Sequence, residues 1–285
     1  MILIADSGST KTKWILVKTK GHYTEFETIG LNPFYISSNQ IAHELNDAVN
    51  ADWCVHQIDR IFFYGAGCAS IETEQIVAEG LSRVFRRAEI AVFSDVLGAA
   101  RALFRNQPGI AVILGTGASS CDYDGTGIEN RVPALGYILG DDGSGAVLGK
   151  ELLKAYWHQD LPESLQNTFS AQYNLEIEDV KRNVYSGDRP NRYLASFTPF
   201  LLTHIGNDYI RRMVGSSFDR MYRQQVKRYP DWNRKEVRLM GSIAFYFADI
   251  LNDMAVQNHI KVTKILRSPI LELAEFHAAD MDPTG

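Results

Sequence analysis

The sequence predicts an α/β protein built from two domains of related architecture. Short runs of β-branched and aromatic residues alternate with helical patterns along its 285 residues, as in layered α/β folds. A strand, a turn of glycine and hydroxyl residues and a second strand occur twice, as ILIADSGSTKTKWILV from Ile2 and as IAVILGTGASSCDYDG from Ile110. Either copy alone is compatible with an ordinary hairpin. The pair, with its matching chemistry, favours two halves that repeat one fold.

The predicted strands are short apolar runs bounded by polar or glycine-rich turns. In the first half they are 2–5, 14–17, 24–28, 61–64 and 90–93, and in the second half 110–114, 120–123, 237–240 and 261–265. The predicted helices show the 3.6-residue apolar period, and they are 39–50, 72–87, 94–105, 145–157, 175–185, 191–205, 208–229 and 243–257. The region between Leu161 and Tyr229 is predicted to be almost purely helical.

Composition excludes several classes of partner. The net charge of −5 gives no attraction to nucleic acid or to an anionic membrane. No apolar run reaches the ~20 residues that span a bilayer, and Asp6 interrupts the start of the chain where a signal peptide would lie. Cys54, Cys68 and Cys121 are far apart and form no C-x-x-C pair, which is typical of a reducing cytoplasm rather than of a zinc or iron–sulfur site. We therefore expect a cytoplasmic protein with no nucleic-acid and no membrane partner.

The first turn has the chemistry of a phosphate site. A hairpin turn needs glycine, but it does not need the carboxylate, hydroxyls and lysine of Asp6-Ser7-Gly8-Ser9-Thr10-Lys11. Exposed backbone N–H groups beside hydroxyls bind anions, and a carboxylate at a strand end holds a divalent metal directly or through water. The stretch therefore predicts a phosphate-binding hairpin with Asp6 facing a magnesium ion.

The two common nucleotide motifs are absent. SGAVLGKE departs from the Walker A pattern at Ser144 and Glu151, and GTGASS departs from the dinucleotide pattern at Ser120. The predicted phosphate-binding device is thus a hairpin rather than a strand-to-helix loop.

Three further turns combine glycine with acidic or hydroxyl residues. LGYILGDDGSGAVLGKEL carries Asp141 and Asp142 before a helix, and VFSDVLGAARAL places Ser94-Asp95 between a strand and a helix. Helix capping explains both equally simply, but a carboxylate at the end of a parallel strand also points to where α/β folds bind ligands and can accept a substrate proton. VRLMGSIAFYFADIL ends a strand at Gly241-Ser242, where either an ordinary turn or contact with a nucleotide base fits.

Taken in order, these segments resemble the sugar kinase–actin–Hsp70 superfamily, and more narrowly the BadF/BadG/BcrA/BcrD-type ATPases and the N-acetylglucosamine kinases among them. Residues 6–11 and 115–119 are similar to the two phosphate motifs, and residues 240–244 to the adenosine motif. Residues 136–144 resemble the glycine-rich segment G-x-x-x-G-D-E-G-S beside the sugar. Residues 30–32 and 64–67 match two loops that line the cleft. Two positions depart from the family pattern: Leu135 replaces a tryptophan, and Asp142 replaces a glutamate.

The resemblance implies two ribonuclease H-like (actin-like ATPase) domains around a cleft, with a helical insertion in the second. The first would cover 1–104, with a C-terminal helix at about 269–285 packed back on it, and the second would cover 105–268. The implied activity is ATP-dependent and Mg²⁺-dependent phosphorylation of an amino sugar, foremost N-acetylglucosamine at its 6-hydroxyl. Glucosamine, N-acetylmannosamine and N-acetylmuramic acid remain alternative sugars, and a non-kinase activating ATPase remains an alternative function. A homodimer is compatible with the resemblance.

The resemblance also assigns roles to individual residues. Asp95 would accept the proton of the sugar hydroxyl, and Asp6 would hold magnesium. The residues implied for nucleotide and phosphate are Gly8, Ser9, Thr10, Lys11, Gly115, Thr116, Gly117, Gly241 and Ser242. Those implied for the sugar, besides Asp95, are Asn32, Gly67, Ala118, Ser119, Leu135, Gly136 and Asp141.

Overall fold

A computed structural model describes residues 1–8, 10–19, 21–49 and 55–279 of the chain. Ser9 and Cys54 lie outside the described residues, as does the end of the predicted C-terminal helix. The chain forms two compact units, of which unit 1 comprises Met1–Gln107, Gly125–Gly127 and Ser268–Gly285, and unit 2 comprises Pro108–Asp124 and Ile128–Arg267. Within the described ranges, no helix has the length and apolarity that a bilayer crossing requires.

Unit 1 contains a five-stranded sheet with the order β3-β2-β1-β4-β5. Its strands are β1 (Ile2–Ser7), β2 (Lys11–Thr19), β3 (His22–Ile29), β4 (Arg60–Gly65) and β5 (Glu89–Ser94). The first three strands form an antiparallel meander, and β4 and β5 run parallel to β1. The carboxyl ends of β1, β4 and β5 therefore meet at one edge of the sheet, where Asp6 and Asp95 are placed.

Helices cover both faces of this sheet. On one face, α1 (Ser38–Ala48) and α2 (Ile71–Val84) each begin with a capping box and pack on an apolar cluster that includes Leu3, Trp14 and Phe63. On the other face lie α3 (Asp95–Phe104) and α13 (Ile270–Ala278), which contact each other and β1. Leu273 and Ala274 of α13 are buried against Ile2 and Ile4, so a segment from the far end of the described chain completes the core of unit 1.

Unit 2 repeats the topology of unit 1. Its sheet has the order β10-β9-β6-β7-β8, with β6 (Gly109–Leu114), β7 (Ala118–Tyr123), β8 (Ile128–Asn130), β9 (Val237–Met240) and β10 (Val262–Leu266). Strands β6, β7 and β8 form the antiparallel meander, and β9 and β10 run parallel to β6. The repeat that the two hairpin segments predicted is confirmed as two sheets of one strand order.

The other helices belong to unit 2, and most of them lie between β8 and β9. They are α4 (Gly136–Leu139), α5 (Gly145–Trp157), α6 (Glu163–Tyr173), α7 (Ile177–Tyr185), α8 (Pro190–Ala195), α9 (Thr198–Thr203), α10 (Asp208–Met221), α11 (Ser242–Tyr246) and α12 (Ala248–Gln257). The predicted helix 191–205 was wrong as a single element, because Pro199 near the start of α9 cannot continue α8. Likewise, 243–257 breaks at Phe247, and 208–229 ends in a π-helical turn after Met221.

Candidate functional site

The first hairpin, formed by β1 and β2, contains both buried hydroxyls that support its structure and an exposed hydroxyl at its tip. The Ser7 and Thr12 hydroxyls are buried and lie 2.8 Å apart, and both accept a hydrogen bond from the backbone N–H of Leu31. Gly8 closes the turn by donating to the carbonyl of Lys11 at 3.0 Å. Gly8 and Thr10 remain exposed at the tip, where the Thr10 hydroxyl is accessible to an anion and Gly8 presents no side chain that would block its approach.

The two lysines of this hairpin have different neighbours. The Lys11 ammonium group donates to Glu27 of β3 at 2.8 Å, so its predicted contact with phosphate competes with an ion pair on the sheet. Lys13 lies directly across β1 and β2 from Asp6 and acts to lower the pKa of that carboxyl group. Of the two, Lys13 is therefore the one whose charge reaches the predicted metal ligand.

Asp6 and Asp95 form a carboxylate pair at one edge of the unit 1 sheet. Asp6 pairs with Tyr64 of β4, and the next residue of β4, Gly65, pairs with Ser94 of β5. Burial, followed by the charge of Asp95, raises the pKa of Asp6 to about 7. A buried carboxylate beside a second one is stabilised by a divalent cation or by a proton. The pair therefore suits phosphoryl-transfer chemistry.

Asp95 is held at the N-terminus of α3. The Ser94 hydroxyl caps the helix by accepting from the N–H of Leu97, and one carboxylate oxygen of Asp95 accepts from the N–H of Val96 at 2.9 Å. The Ser94 contact is that of a helix cap, so the capping interpretation of this turn is correct for Ser94. The two contacts fix the orientation of the carboxylate, which a general base also needs.

Asn32 and Gly67 form a close pair in unit 1. The Asn32 side-chain oxygen accepts from the N–H of Phe34 at 3.0 Å. Gly67 has φ +87°, and a Cβ there would lie only 2.5 Å from that oxygen. Glycine is thus required by backbone conformation and by space. Because the oxygen of Asn32 already accepts a backbone hydrogen bond, its amide NH₂ is the group available to donate to a ligand.

In unit 2, the second hairpin (β6, β7 and the turn 115–117 between them) and the acidic loop that carries Asp141 and Asp142 both contact the start of α5. The N–H groups of Gly145 and Ala146 donate to the carbonyls of Gly115 and Thr116, at 2.8 and 3.0 Å. These first N–H groups of α5 therefore hold the hairpin turn and are not free for a phosphate. The turn is closed by the N–H of Gly115, which donates to the carbonyl of Gly117 at 3.0 Å.

Asp141 lies directly against this hairpin. It has φ +57°, and its carboxylate accepts from the backbone N–H of Ala118. A Cβ on Gly117 would lie 3.0 Å from the same carboxylate. Burial raises the pKa of Asp141, and the charge of Asp142 raises it further. The structure thus brings together Gly117, Ala118 and Asp141, which were predicted from separate segments.

Asp142 has a different role from Asp141. Its carboxylate accepts from Nε of Arg220 at 3.0 Å, and Arg220 also pairs with Glu151 of α5. This ion-pair network ties the acidic loop to α10 and α5. Arg220 was not predicted, because it lies far along the chain on a helix with no local motif.

Gly241 brings the predicted adenosine turn against the second hairpin. Its φ is +112°, and a Cβ there would overlap the carbonyl of Leu114 at the end of β6. Its N–H donates to the carbonyl of Leu266, and Ser242 begins α11 directly after it. Gly115, Thr116, Gly117, Gly241 and Ser242 therefore border one region of unit 2.

Leu135 does not bury its side chain as a core residue would. It is 59% exposed, and Gly136, at φ +72°, starts the short helix α4. Tyr137 instead packs against the core of unit 2, and its carbonyl accepts from Lys150 at 2.7 Å. Tyr137 is therefore partly buried where Leu135 is exposed.

Ser119 contacts a residue that sequence reasoning missed. Its hydroxyl accepts from Nη2 of Arg131 at 3.3 Å. Arg131 follows β8, and neither this three-residue strand nor the segment after it has a recognisable pattern in the sequence. The neighbouring Ser120 points to the other face of β7, where its hydroxyl is buried 2.7 Å from that of Tyr229.

The comparisons with known proteins identify the family and the fold of the chain. The model of the BadF/BadG/BcrA/BcrD ATPase family matches residues 5–274. A protein from Porphyromonas gingivalis named "Putative N-acetylglucosamine Kinase" is 37% identical, with a TM-score of 0.94 over 99% of this chain and 100% of its own. No curated protein matches the chain.

More distant structures share the fold. A protein of the same name from Chromobacterium violaceum is 17% identical, with a TM-score of 0.73 over 97% of this chain and 98% of its own. A ROK family glucokinase from Streptomyces griseus, in complex with glucose and AMPPNP, is 14% identical. Its TM-score is 0.56 over 100% of this chain and 99% of its own. At these identities the likeness is one of fold.

Proposed function

Because the chain belongs to the BadF/BadG/BcrA/BcrD ATPase family, we propose that it is an ATP-dependent kinase of an amino sugar. The first substrate to consider is N-acetylglucosamine, phosphorylated at its 6-hydroxyl. The observation that carries the proposal is the carboxylate pair Asp6 and Asp95 beside the exposed tip of a phosphate-type hairpin. The 37% identical relative from Porphyromonas gingivalis supports the choice of sugar.

In unit 1, Asp95 accepts the proton of the sugar hydroxyl as that oxygen attacks the γ-phosphate. Its fixed place at the start of α3 aims the carboxylate. Asn32 donates its amide NH₂ to a sugar hydroxyl, and Gly67 makes room for it. Gly8 and Thr10 bind phosphate oxygens at the hairpin tip; the same role proposed for Ser9 falls outside the described residues.

The residues present fit a magnesium ion. The described part of the chain contains no group of three or more metal-ligating side chains, but Mg²⁺ at kinase sites is held by one or two carboxylates together with phosphates and water. Asp6 supplies such a carboxylate, and its burial beside Asp95, which raises its pKa, favours a cation there. When bound, the ion neutralises charge on the transferring phosphoryl group.

In unit 2, Gly115, Thr116 and Gly117 bind the phosphates at the second hairpin, and Gly241 and Ser242 lie against the adenosine. Asp141 accepts hydrogen bonds from sugar hydroxyls. Its position is supported by the N–H of Ala118 and by the absence of a side chain at Gly117. Ser119, Leu135 and Gly136 complete the proposed sugar site in this unit.

Coupled ADP release with purified full-length chain and Mg–ATP tests the proposal. The panel is N-acetylglucosamine, glucosamine, N-acetylmannosamine and N-acetylmuramic acid, with a blank lacking sugar. We expect ADP release only with an amino sugar, in equal amount to a sugar 6-phosphate identified by NMR. ADP release at the same rate without sugar would favour the activating-ATPase alternative, and no release with any member would contradict kinase activity.

A further inference from the structure

A large open pocket of unit 2 borders the residues assigned to the sugar. Its volume is about 740 Å³, and Leu135, Gly140 and Asp141 are among the residues that line it. Arg131, which also lines the pocket, donates to Ser119. A cavity of this size holds ligands considerably larger than one sugar ring. The pocket therefore has room for a substituent on the sugar.

The same pocket contains two cationic side chains with only neutral partners. Arg131 donates to the Ser119 hydroxyl at 3.3 Å, and Arg228 donates to the side-chain oxygen of Gln224 at 3.0 Å. Among the described residues, neither guanidinium group forms an ion pair. Arg220, by contrast, is neutralised by Asp142 and Glu151. The positive charges of Arg131 and Arg228 are thus not neutralised by a direct ion pair with any described residue.

The acidic residues of the pocket cancel only part of this charge. Asp142 is committed to Arg220, so only the carboxylate of Asp141, which also accepts from the N–H of Ala118, opposes the two guanidinium groups. No residue assigned to the nucleotide lines the pocket. An anion bound by the two arginines would accordingly belong to the sugar and not to ATP.

We propose that Arg131 and Arg228 form a carboxylate subsite, so that the preferred substrate is an amino sugar with an acidic substituent away from its 6-hydroxyl. Guanidinium groups bind carboxylates through charge-assisted, often bidentate hydrogen bonds. Leu135 contributes by leaving the approach open, where a tryptophan would cover it. This inference rests on the proposed kinase function, from which it selects the substrate class.

The test compares N-acetylmuramic acid, which is the 3-O-carboxyethyl ether of N-acetylglucosamine, with its uncharged carboxamide. The two differ in charge but hardly in size. In the wild type we expect kcat/KM for the acid to exceed that for the amide by about tenfold, as one charge-assisted hydrogen bond contributes. This ratio should fall with rising salt, because the arginines are exposed.

Arg131→Gln and Arg228→Gln should each lower the acid-to-amide ratio of kcat/KM several-fold, and Arg131→Lys and Arg228→Lys should restore part of it. Arg192→Gln is the matched control, since Arg192 is exposed on α8 and does not line the pocket. Its ratio should equal that of the wild type. Thermal unfolding of every variant checks that the fold is retained.

A ratio near one in the wild type, or a ratio that Arg131→Gln and Arg228→Gln leave unchanged, would overturn the subsite. If no sugar at all is phosphorylated, the kinase proposal fails separately, and calorimetric binding of the acid and the amide decides the subsite instead. Tighter binding of the acid that is lost in Arg131→Gln would support it, and equal binding would overturn it.

Discussion

The Asp95 carboxylate is held at the start of α3 and is the proposed base for the sugar hydroxyl. Asp95→Asn keeps the size of the side chain but cannot take up the hydroxyl proton. We expect kcat for sugar phosphorylation to fall roughly 100- to 10,000-fold, with sugar and nucleotide affinities close to those of the wild type. Coupled ADP release and calorimetric titration measure the two effects.

The control for this change is Asp208→Asn, which alters the first residue of α10 as the test alters the first residue of α3. It should keep kcat. If Asp95→Asn stays within a few-fold of the wild type, another group accepts the proton.

A methyl group added at Gly117 would contact Asp141, a proposed ligand of the sugar. In Gly117→Ala the new Cβ would lie 3.0 Å from the Asp141 carboxylate, which is closer than ordinary contact, so Asp141 must shift. We expect KM for the sugar to rise roughly tenfold through the weakened hydrogen bond, while the thermal midpoint changes little. Gly206→Ala, where a Cβ meets nothing within 4 Å, should leave KM as in the wild type. An unchanged KM in Gly117→Ala would remove Asp141 from the sugar site.

At the scale of elements, α13 is tied to the unit 1 sheet by a buried polar chain. Arg101 of α3 donates to the Tyr64 hydroxyl at 2.9 Å, and that hydroxyl is hydrogen-bonded to Nε2 of His277, 2.8 Å away. Burial, followed by the charges of Arg101 and Arg60, lowers the pKa of His277 to about 3, so the imidazole is neutral at pH 7.

This neutral histidine makes stability depend on pH. Its pKa is lower in the folded state than the usual 6.5, so between those values the unfolded state binds the extra proton and stability falls as the pH falls. Between pH 7 and pH 5 we expect the wild type to lose ~2 kcal/mol more of its free energy of unfolding than His277→Gln does. Urea titrations of both proteins at pH 7 and pH 5 measure these free energies of unfolding. Parallel losses in the two proteins would mean that folding leaves the pKa of His277 unchanged.

The elements themselves differ in how far local sequence determines them. Strands β1, β6 and β9 end in turns whose residues, Asp6, Gly115 and Gly241, already indicate ligand chemistry. The break between α8 and α9 also has a local cause in Pro199, but the break at Phe247 has no such signal. Strand β8 has three residues and an irregular pattern, so only its pairing with β7 defines it.

At the scale of the whole molecule, the fold was predictable because one strand–turn–strand segment occurs twice in the sequence. This repeat predicted two related sheets, and the two sheets have the same strand order. Contacts between distant segments were not predictable in this way. Arg131 beside Ser119, Arg220 beside Asp142 and His277 beside Tyr64 each join segments without a shared motif. Sequence motifs thus indicated the turns of the candidate site, but they did not indicate Arg131 and Arg220, which contact residues of those turns.

The place of α13 in unit 1 has a consequence for biosynthesis. A ribosome makes β1 to β5 first, then all of unit 2, and only afterwards the helix that buries Ile2, Ile4 and Val17. Unit 2 can complete its core during translation, whereas the nascent unit 1 has only α3 on that face of its sheet until α13 is made. We therefore expect the half of the protein that emerges first to need chaperone protection most.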